Sequence, residues 1–298
     1  MYFCCNLGLT IYNKSVLLRF PFPYTLSALH ALLGTIGGSV LAKRGHFVAP
    51  QLYLRETTIL LAFSVLYAVN ITVSNVSLQL VTIPFHQVVR ASTPIFTIFF
   101  SRLLYGARSS RAKNISLIPV VAGVGFATFG DYYFTPTGLL LTLLGTVLAA
   151  LKTIFTHVLQ APPAPPFADP LALLSVLSPL ALAHCTLLAY ATGELARVRA
   201  FAAADLSAAG ACALLLNGAL AFGLNVVSFR ANRRVGALGM TVAANVKQVL
   251  TILCAVAVFG LRISGWNALG IALTLGGGAW YACVELRERW ARARHPGW

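Results

Sequence analysis

Four basic side chains lie inside apolar stretches of the sequence, where a charge is unfavourable. They are Lys14, Arg90, Lys152 and Lys247. A cation at the centre of a membrane-spanning helix costs about 2.5–3.5 kcal/mol, and such residues are rare outside functional sites. Lys247 is the hardest of the four to explain by packing alone, because it lies in the middle of its apolar run. The chemistry that such residues offer is the attraction of an anion.

The sequence supplies no carboxylate at the same depth. All seven acidic residues fall in loops or at the ends of apolar runs: Glu56, Asp131, Asp169, Glu194, Asp205, Glu285 and Glu288. Four buried cations cost about 10–14 kcal/mol together, which is comparable with the whole stability of a typical protein. We therefore expect a water-filled cavity in which these cations meet an external anion. The alternative stays open that Lys14, Arg90 and Lys152 extend to the membrane interface.

Two sets of polar side chains accompany these cations. The first recurs at three- and four-residue steps, which is one helical face: His86, Arg90, Thr93 and Thr97. The second set flanks Lys247: Asn245, Gln248 and Thr251. Asn225 shares a face of the eighth predicted span with Asn217 and Ser228. Taken singly, each polar residue is more typical of helix–helix hydrogen bonding than of ligand binding. Pro94 permits a bend in the first of these helices.

The composition predicts the elements that position these residues. The chain has 298 residues, of which 58% are hydrophobic and 10% are charged, whereas a soluble domain has about 25% charged residues. Apolar runs of about 17–25 residues indicate membrane spans. Ten are predicted, at 1–18, 24–42, 56–79, 83–104, 114–130, 136–159, 170–192, 208–229, 237–260 and 265–285. We therefore predict an all-α polytopic membrane protein with ten transmembrane helices and no soluble domain.

The remaining basic residues predict the orientation of the chain. They cluster in alternate loops, with Lys43, Arg102, Arg230 and Arg287 each in a different cluster on one side. The positive-inside rule then places both termini in the cytosol. Because the net charge of +15 follows from this distribution, no nucleic-acid partner is needed to explain it. The cysteines and glycines show neither metal-ligand spacing nor a phosphate-binding loop, so no metal and no cofactor are predicted.

The two halves of the sequence resemble each other in order. Residues 1–131 and 132–290 each contain five predicted spans, followed by a cytosolic tail at 291–298. The comparison pairs Lys14 with Lys152 and Arg90 with Lys247. Five spans per half give the halves opposite orientations, and inverted repeats with a site near the midplane are typical of secondary transporters. We expect all four cations to face one central cavity.

Three segments of the chain resemble a known family. "IYNKSVLLRFPFPYTLSALH", "HQVVRASTPIFTIFF" and "NVKQVLTILCAVAVFG" are similar to the triose-phosphate translocator and nucleotide-sugar transporter branch of the drug/metabolite transporter superfamily. The resemblance extends over essentially the whole chain. It implies ten helices in two inverted five-helix repeats and the exchange of phosphorylated solutes.

The resemblance also implies roles for individual residues. In the plastid phosphate translocators of this branch, basic residues of the fourth, sixth and ninth helices bind phosphate, and the ninth helix carries a Lys-Arg pair. Arg90, Lys152 and Lys247 match these positions, but Gln248 stands where the second cation of the pair would be. This departure favours the Golgi and endoplasmic-reticulum relatives that exchange nucleotide sugars for nucleoside monophosphates.

The function predicted from the sequence is therefore secondary-active antiport. The chain is expected to exchange a nucleotide sugar for a nucleoside monophosphate across a Golgi or endoplasmic-reticulum membrane; the alternative is a sugar-phosphate/phosphate exchanger. The candidate substrate contacts are Lys247, Arg90, Lys152, Lys14, Gln248, Asn245, Asn225 and His86. An enzyme is not favoured, because no carboxylates, metal ligands or nucleophile–base set cluster at membrane depth. The expected partners are the phosphorylated solute and the lipid bilayer, and a homodimer is left open.

Overall fold

A computed structural model describes residues 2–48, 53–106, 109–160 and 169–294. Within its helices only the backbone is described at 2–4, 157, 158, 160, 170, 228–246, 289 and 292–294. The described ranges contain twelve helices and no β-strand. The all-α prediction is confirmed.

The helices follow the chain in this order. The first seven are α1 (Tyr2–Arg19), α2 (Pro23–Lys43), α3 (Leu54–Leu80), α4 (Ile83–Arg90), α5 (Thr93–Tyr105), α6 (Arg111–Ser116) and α7 (Ile118–Phe129). The other five are α8 (Pro136–Gln160), α9 (Pro170–Ala191), α10 (Glu194–Ala204), α11 (Ala208–Phe259) and α12 (Gly265–Arg294).

Seven segments of the described residues are long and apolar enough to cross a membrane. They cover 23–43, 54–80, 111–129, 136–156, 171–191, 208–227 and 265–288, and each overlaps a span predicted from the sequence. A shorter apolar segment covers Lys247–Phe259. The arrangement of ten spans as inverted repeats remains a prediction.

Helix α11 differs from the sequence prediction. A loop was expected near Arg230, between two spans, but residues 208–259 form one helix of 52 residues. At about 1.5 Å per residue such a helix is about 78 Å long, more than twice the thickness of the hydrocarbon core. The predicted loop contains no proline and includes three arginines, which favour helix. Polarity therefore ends the apolar run there without ending the helix.

The helices form two compact units. Unit 1 contains Met1–Gln79 and Leu151–Phe229, and unit 2 contains Leu80–Ala150 and Arg230–Trp298. The chain crosses from one unit to the other after Gln79, within α8 and within α11. Each unit thus includes residues from both predicted halves. The division of the sequence at residue 131 remains a prediction.

In unit 1, helix α2 packs closely against α9. A Cβ atom added at Gly34 would lie 2.9 Å from the Ser178 hydroxyl oxygen, and one at Gly38 would lie 3.3 Å from Ser175. The spacing Gly34-x-x-x-Gly38 predicts such a close approach. Helix α3 also packs against α9, through an apolar cluster: Leu60, Phe63, Leu173 and Leu177.

In unit 2, helix α7 packs still more closely against α12. A Cβ atom added at Gly270 would lie 2.2 Å from the backbone nitrogen of Ala127. Helix α4 and the second part of α11 join this pair through Val88 and Ile252, both of which are buried in one cluster with Ala127. This packing fixes the two helices that carry Arg90 and Lys247.

Candidate functional site

The helix that carries Arg90 is interrupted before a proline. Helix α4 ends at Arg90 and α5 begins at Thr93, with Pro94 in its first turn. Proline lacks an N–H group, so Pro94 cannot donate a hydrogen bond to the carbonyl of Arg90, four residues earlier. The hydroxyls of Ser92 and Thr93 donate to carbonyls three residues earlier, at 2.6 and 2.5 Å. The bend predicted at Pro94 is therefore present, as a break between two helices.

This break divides the polar face predicted for the fourth span. His86 and Arg90 lie one turn apart on α4, whereas Thr93 and Thr97 belong to α5. His86 is 4% exposed, and the Arg90 side chain is partly exposed. The start of α4 is held by Thr82, whose hydroxyl accepts a hydrogen bond from a backbone N–H of the first turn at 3.4 Å.

Arg90 and Lys247 come together in unit 2. Lys247 lies in α11, near enough to the Arg90 guanidinium for the two positive charges to repel each other. One turn later, Thr251 is fully buried and its hydroxyl donates to the Lys247 carbonyl at 2.7 Å. Gln248 follows Lys247 and is partly buried. The sequence pairs these two cations as equivalent positions of a repeat that face one central cavity, and that cavity remains a prediction.

Two neighbouring cations in a partly buried environment are suited to binding an anion. Like charges repel each other more strongly where water is excluded. The proximity of Arg90 and Lys247 is therefore unfavourable when no anion is bound. A phosphate group carries enough charge and enough acceptor oxygens to bind both side chains through charge-assisted hydrogen bonds. The arrangement can therefore bind a phosphorylated solute.

Lys152 lies in unit 1 and contacts an aromatic ring. Its ammonium nitrogen is 4.8 Å from the ring centroid of Tyr67. A cation over an aromatic face is favourable by about 0.5–2 kcal/mol, depending on its solvation. Tyr67 itself packs between the apolar clusters of α3 and α9. Tyr67 cannot be recognised from the sequence, since an aromatic residue within an apolar run carries no distinguishing local signal.

Lys14 also lies in unit 1, where it contacts the end of α3. Its ammonium nitrogen donates to the carbonyl of Leu78 at 2.8 Å and to that of Gln79 at 3.1 Å. Both carbonyls belong to the last turn of α3. This contact gives Lys14 a definite role in helix capping, which the sequence alone did not indicate.

A chain of polar side chains crosses unit 1 beside Lys14. Asn217 is fully buried, donates to the Asn13 side-chain oxygen at 2.8 Å and lies 2.6 Å from His30 Nε2. These hydrogen-bonded side chains connect α1, α2 and α11, so His30 and Asn217 act here as interhelical contacts. Asn225 lies two turns further along α11 and is partly buried. The side chain of Asn245 lies outside the described residues.

The expectation that Lys14 and Lys152 face the same cavity as Arg90 and Lys247 remains a prediction. All seven carboxylates lie within the described ranges: five occupy helix ends and connections, and Glu285 and Glu288 lie within α12. Asp169 and Glu194 accept hydrogen bonds from backbone N–H groups in the first turns of α9 and α2. In the connection after α7, burial raises the pKa of the Asp131 carboxyl, while a hydrogen bond from a backbone N–H lowers it.

Comparison with known proteins identifies the class. The model of the Triose-phosphate Transporter family matches residues 1–282. The chain belongs to this family, as the resemblance of its Arg90 and Lys247 segments implies. A solved crystal structure shares the fold, with a TM-score of 0.55 at 17% identity over 95% of this chain and 98% of the other.

Several relatives match over most of their length. The chain is 26% identical to a probable sugar phosphate/phosphate translocator of Arabidopsis thaliana, covering 97% of this chain and 94% of the relative. It is 26% identical to UDP-galactose transporter 1 of Arabidopsis thaliana, covering 94% and 84%. It is 30% identical to solute carrier family 35 member E4 of Homo sapiens, covering 91% and 74%. The protein is thus an integral membrane transporter and not an enzyme.

Proposed function

We propose that the protein exchanges a nucleotide sugar for a nucleoside monophosphate across an endomembrane of the Golgi or endoplasmic reticulum. The observation that carries the proposal is the pair formed by Arg90 and Lys247, whose like charges lie close together on α4 and α11. A phosphate group on either substrate would relieve their repulsion. Lys152, placed over Tyr67, is proposed as a further substrate contact, together with His86.

Gln248 is proposed to contribute to substrate choice. A second cation beside Lys247 would add attraction for a small phosphate, whereas an amide supplies both a donor and acceptors that suit a sugar or a base. Asn225 and Asn245 are assigned the same kind of role. UDP-galactose transporter 1 and UDP-uronic acid transporter 1, both of Arabidopsis thaliana, are among the relatives, which supports a nucleotide-sugar substrate.

Exchange of a sugar phosphate for phosphate is the second candidate. It is favoured by relatives that are phosphate translocators, including phosphoenolpyruvate/phosphate translocator 3 of Oryza sativa at 26% identity. The same two cations would serve it, because both reactions require a phosphate group to be bound. The two candidates differ in the rest of the substrate.

Uptake by purified protein in proteoliposomes tests both candidates. Vesicles are loaded with uridine monophosphate or with phosphate and are offered labelled nucleotide sugars and sugar phosphates. We expect uptake of a nucleotide sugar to dominate and Gln248→Arg to shift the ratio toward sugar phosphates. An unchanged ratio in this variant would contradict the role of Gln248, and uptake of sugar phosphates alone would select the second candidate.

The Lys247→Ala variant tests the anion site itself. Uptake should fall by about ten- to a hundredfold, because a hydrogen bond to a charged group contributes about 1.5–3 kcal/mol. Thermal stability should be unchanged or higher, since the repulsion with Arg90 is removed. Lys43→Ala, at an exposed cation of α2, is the control and should transport normally. Near-normal uptake by Lys247→Ala would overturn the assignment.

A further inference from the structure

Within unit 2, an open groove separates α5 from the segment formed by α6 and α7. Helix α4 packs against α7 through Val88 and Ala127, which are buried in one cluster. After the break before Pro94, none of the thirteen residues of α5 is buried, although most of them are apolar. The break thus ends the close packing, and a cavity of about 590 Å³ lies between α5 and α7.

Most of the side chains that line this groove are apolar. On α5, Ile95, Ile98 and Phe99 recur at three- and four-residue steps, which places them on one helical face. On α7, Ile118 and Val121 line the other side and are 63% and 57% exposed. The volume lies within the range of about 300–1,000 Å³ that is usual for ligand pockets. Because α6 and α7 belong to a segment long enough to cross a membrane, the groove suits an acyl chain.

Polar groups line the groove where α5 ends and α6 begins. Arg102 lies in the last turn of α5, one turn beyond Phe99, and its side chain is exposed. The Ser109 hydroxyl donates to Asn114 Oδ1 at 2.8 Å, so the amide nitrogen of Asn114 is available as a donor to a ligand. Among the described residues that line the groove, Arg102 alone is charged. This end therefore offers a cation and a donor to an anion.

The carboxylates of α12 do not neutralise this cation. Glu285 and Glu288 lie 2.6 and 3.0 Å from the ammonium nitrogen of Lys113, and neither of them lines the groove. A second positive charge, on the exposed Arg111, follows Ser109 by two residues. The charge at the polar end of the groove is therefore positive.

We propose that this groove binds an anionic phospholipid, with an acyl chain between α5 and α7 and the headgroup phosphate held by Arg102 and Asn114. A guanidinium group binds phosphate oxygens through charge-assisted hydrogen bonds, and basic pockets between membrane helices recognise anionic headgroups. A soluble phosphate would leave the apolar sides of the groove uncovered, which favours the lipid. The proposed site is separate from Lys247 and does not depend on which solute is transported.

Binding is tested with purified protein that is stripped of lipid in an uncharged detergent. Phosphatidylserine or phosphatidylcholine with identical acyl chains is added; native mass spectrometry counts bound lipids, and the unfolding midpoint reports stabilisation by binding. We expect phosphatidylserine to raise the midpoint more than phosphatidylcholine does. Arg102→Gln should lower the affinity for phosphatidylserine by about fivefold, the effect of one basic residue near an anionic lipid. Arg287→Gln, at an exposed arginine of α12 that does not line the groove, should bind as the wild type does.

The apolar part of the site is tested by Ala122→Phe. Ala122 lines the groove and is exposed, so the added ring should occupy the space of the acyl chain and weaken binding of both lipids. Ala268→Phe, at an exposed position of α12, is the matched control and should bind both normally. A dimer that forms without lipid and is lost in Ala122→Phe would mean that a second copy of the chain covers the groove, which would overturn the proposal.

Two further outcomes would contradict a lipid site. Equal affinity of the wild type for the two lipids would reduce the groove to unspecific contact with the bilayer, and this comparison requires no variant to fold. Glycerophosphoserine, the soluble headgroup, should give no stabilisation that depends on Arg102. If it stabilised the wild type but not Arg102→Gln, the site would be one for a soluble phosphate.

Discussion

At the scale of single residues, the ammonium group of Lys113 lies between two carboxylates of α12. Its nitrogen is 2.6 Å from Glu285 and 3.0 Å from Glu288, and Lys113 is only 8% exposed. The Ser110 hydroxyl, which caps α6, also donates to Glu288. Removing one partner of a buried ion pair is more damaging than removing both, because the remaining charge keeps its desolvation penalty.

Lys113→Met should therefore destabilise the protein strongly, since it leaves two neighbouring carboxylates without their shared cation. We expect a loss of about 3–5 kcal/mol, measured by thermal or denaturant unfolding in detergent. Lys113→Arg should recover most of it, because the guanidinium keeps the charge. The exposed Lys43 provides the control, and Lys43→Met should change stability by less than about 0.5 kcal/mol. An unfolding midpoint of Lys113→Met equal to that of the wild type would show that the pair contributes nothing.

At the scale of helices, the α7–α12 interface depends on the absence of side chains. Gly270 approaches the Ala127 backbone so closely that a Cβ atom would lie 2.2 Å from its nitrogen. From α7, a Cβ atom added at Gly123 would lie 2.6 Å from the Gly270 carbonyl oxygen. At Gly270 the nearest atoms in the way belong to the backbone and cannot turn aside. Small residues at such an interface are what allow two membrane helices to pack through many weak contacts.

Gly270→Ala should consequently separate the two helices. We expect destabilisation of at least about 1–3 kcal/mol, the usual range for overpacking, read from the unfolding midpoint. Gly276→Ala is a matched control on the same helix, because a Cβ atom there meets nothing within 4 Å. That variant should be neutral or slightly stabilising, since alanine favours helix over glycine. Equal midpoints for the two variants would contradict the close approach.

At the scale of the whole molecule, the charge balance predicts exchange. Cations such as Arg90 and Lys247 are costly to remove from water, so the empty carrier should reorient slowly. A bound anion neutralises them and lowers that cost. The loaded carrier should therefore cross the membrane faster than the empty one, and this difference produces counter-transport.

Uptake into vesicles loaded with uridine monophosphate or phosphate should thus exceed uptake into empty vesicles by about tenfold or more, corresponding to at least about 1.4 kcal/mol in the barrier. A pH gradient alone should have little effect, because coupling to protons usually requires buried carboxylates or a chain of histidines, and His86 is the one candidate near Arg90 in the described part of unit 2. The measurement is the initial rate with and without internal substrate and with and without the gradient. Equal rates into loaded and empty vesicles would exclude obligatory exchange.

Several features of this protein are determined by local sequence and were predictable. Hydropathy alone established an all-α membrane protein, and Pro94 located the break in the fourth span. The same hydropathy singled out Arg90 and Lys247, because a charge in an apolar run is recognisable without knowing its neighbours. Their equivalence as positions of a repeat and their shared role at one site remain predictions.

Other features depend on residues that are far apart in the chain, and only the tertiary structure decided them. Lys14 has the same local signature as Lys247, yet it bonds to carbonyls more than sixty residues away. Lys113 resembles the basic residues that mark a cytosolic loop, but α12 brings two carboxylates to it. Tyr67 gains a role only because Lys152 lies over its ring. Periodicity and charge report what a residue prefers, whereas the partner that it meets is set by how the helices pack.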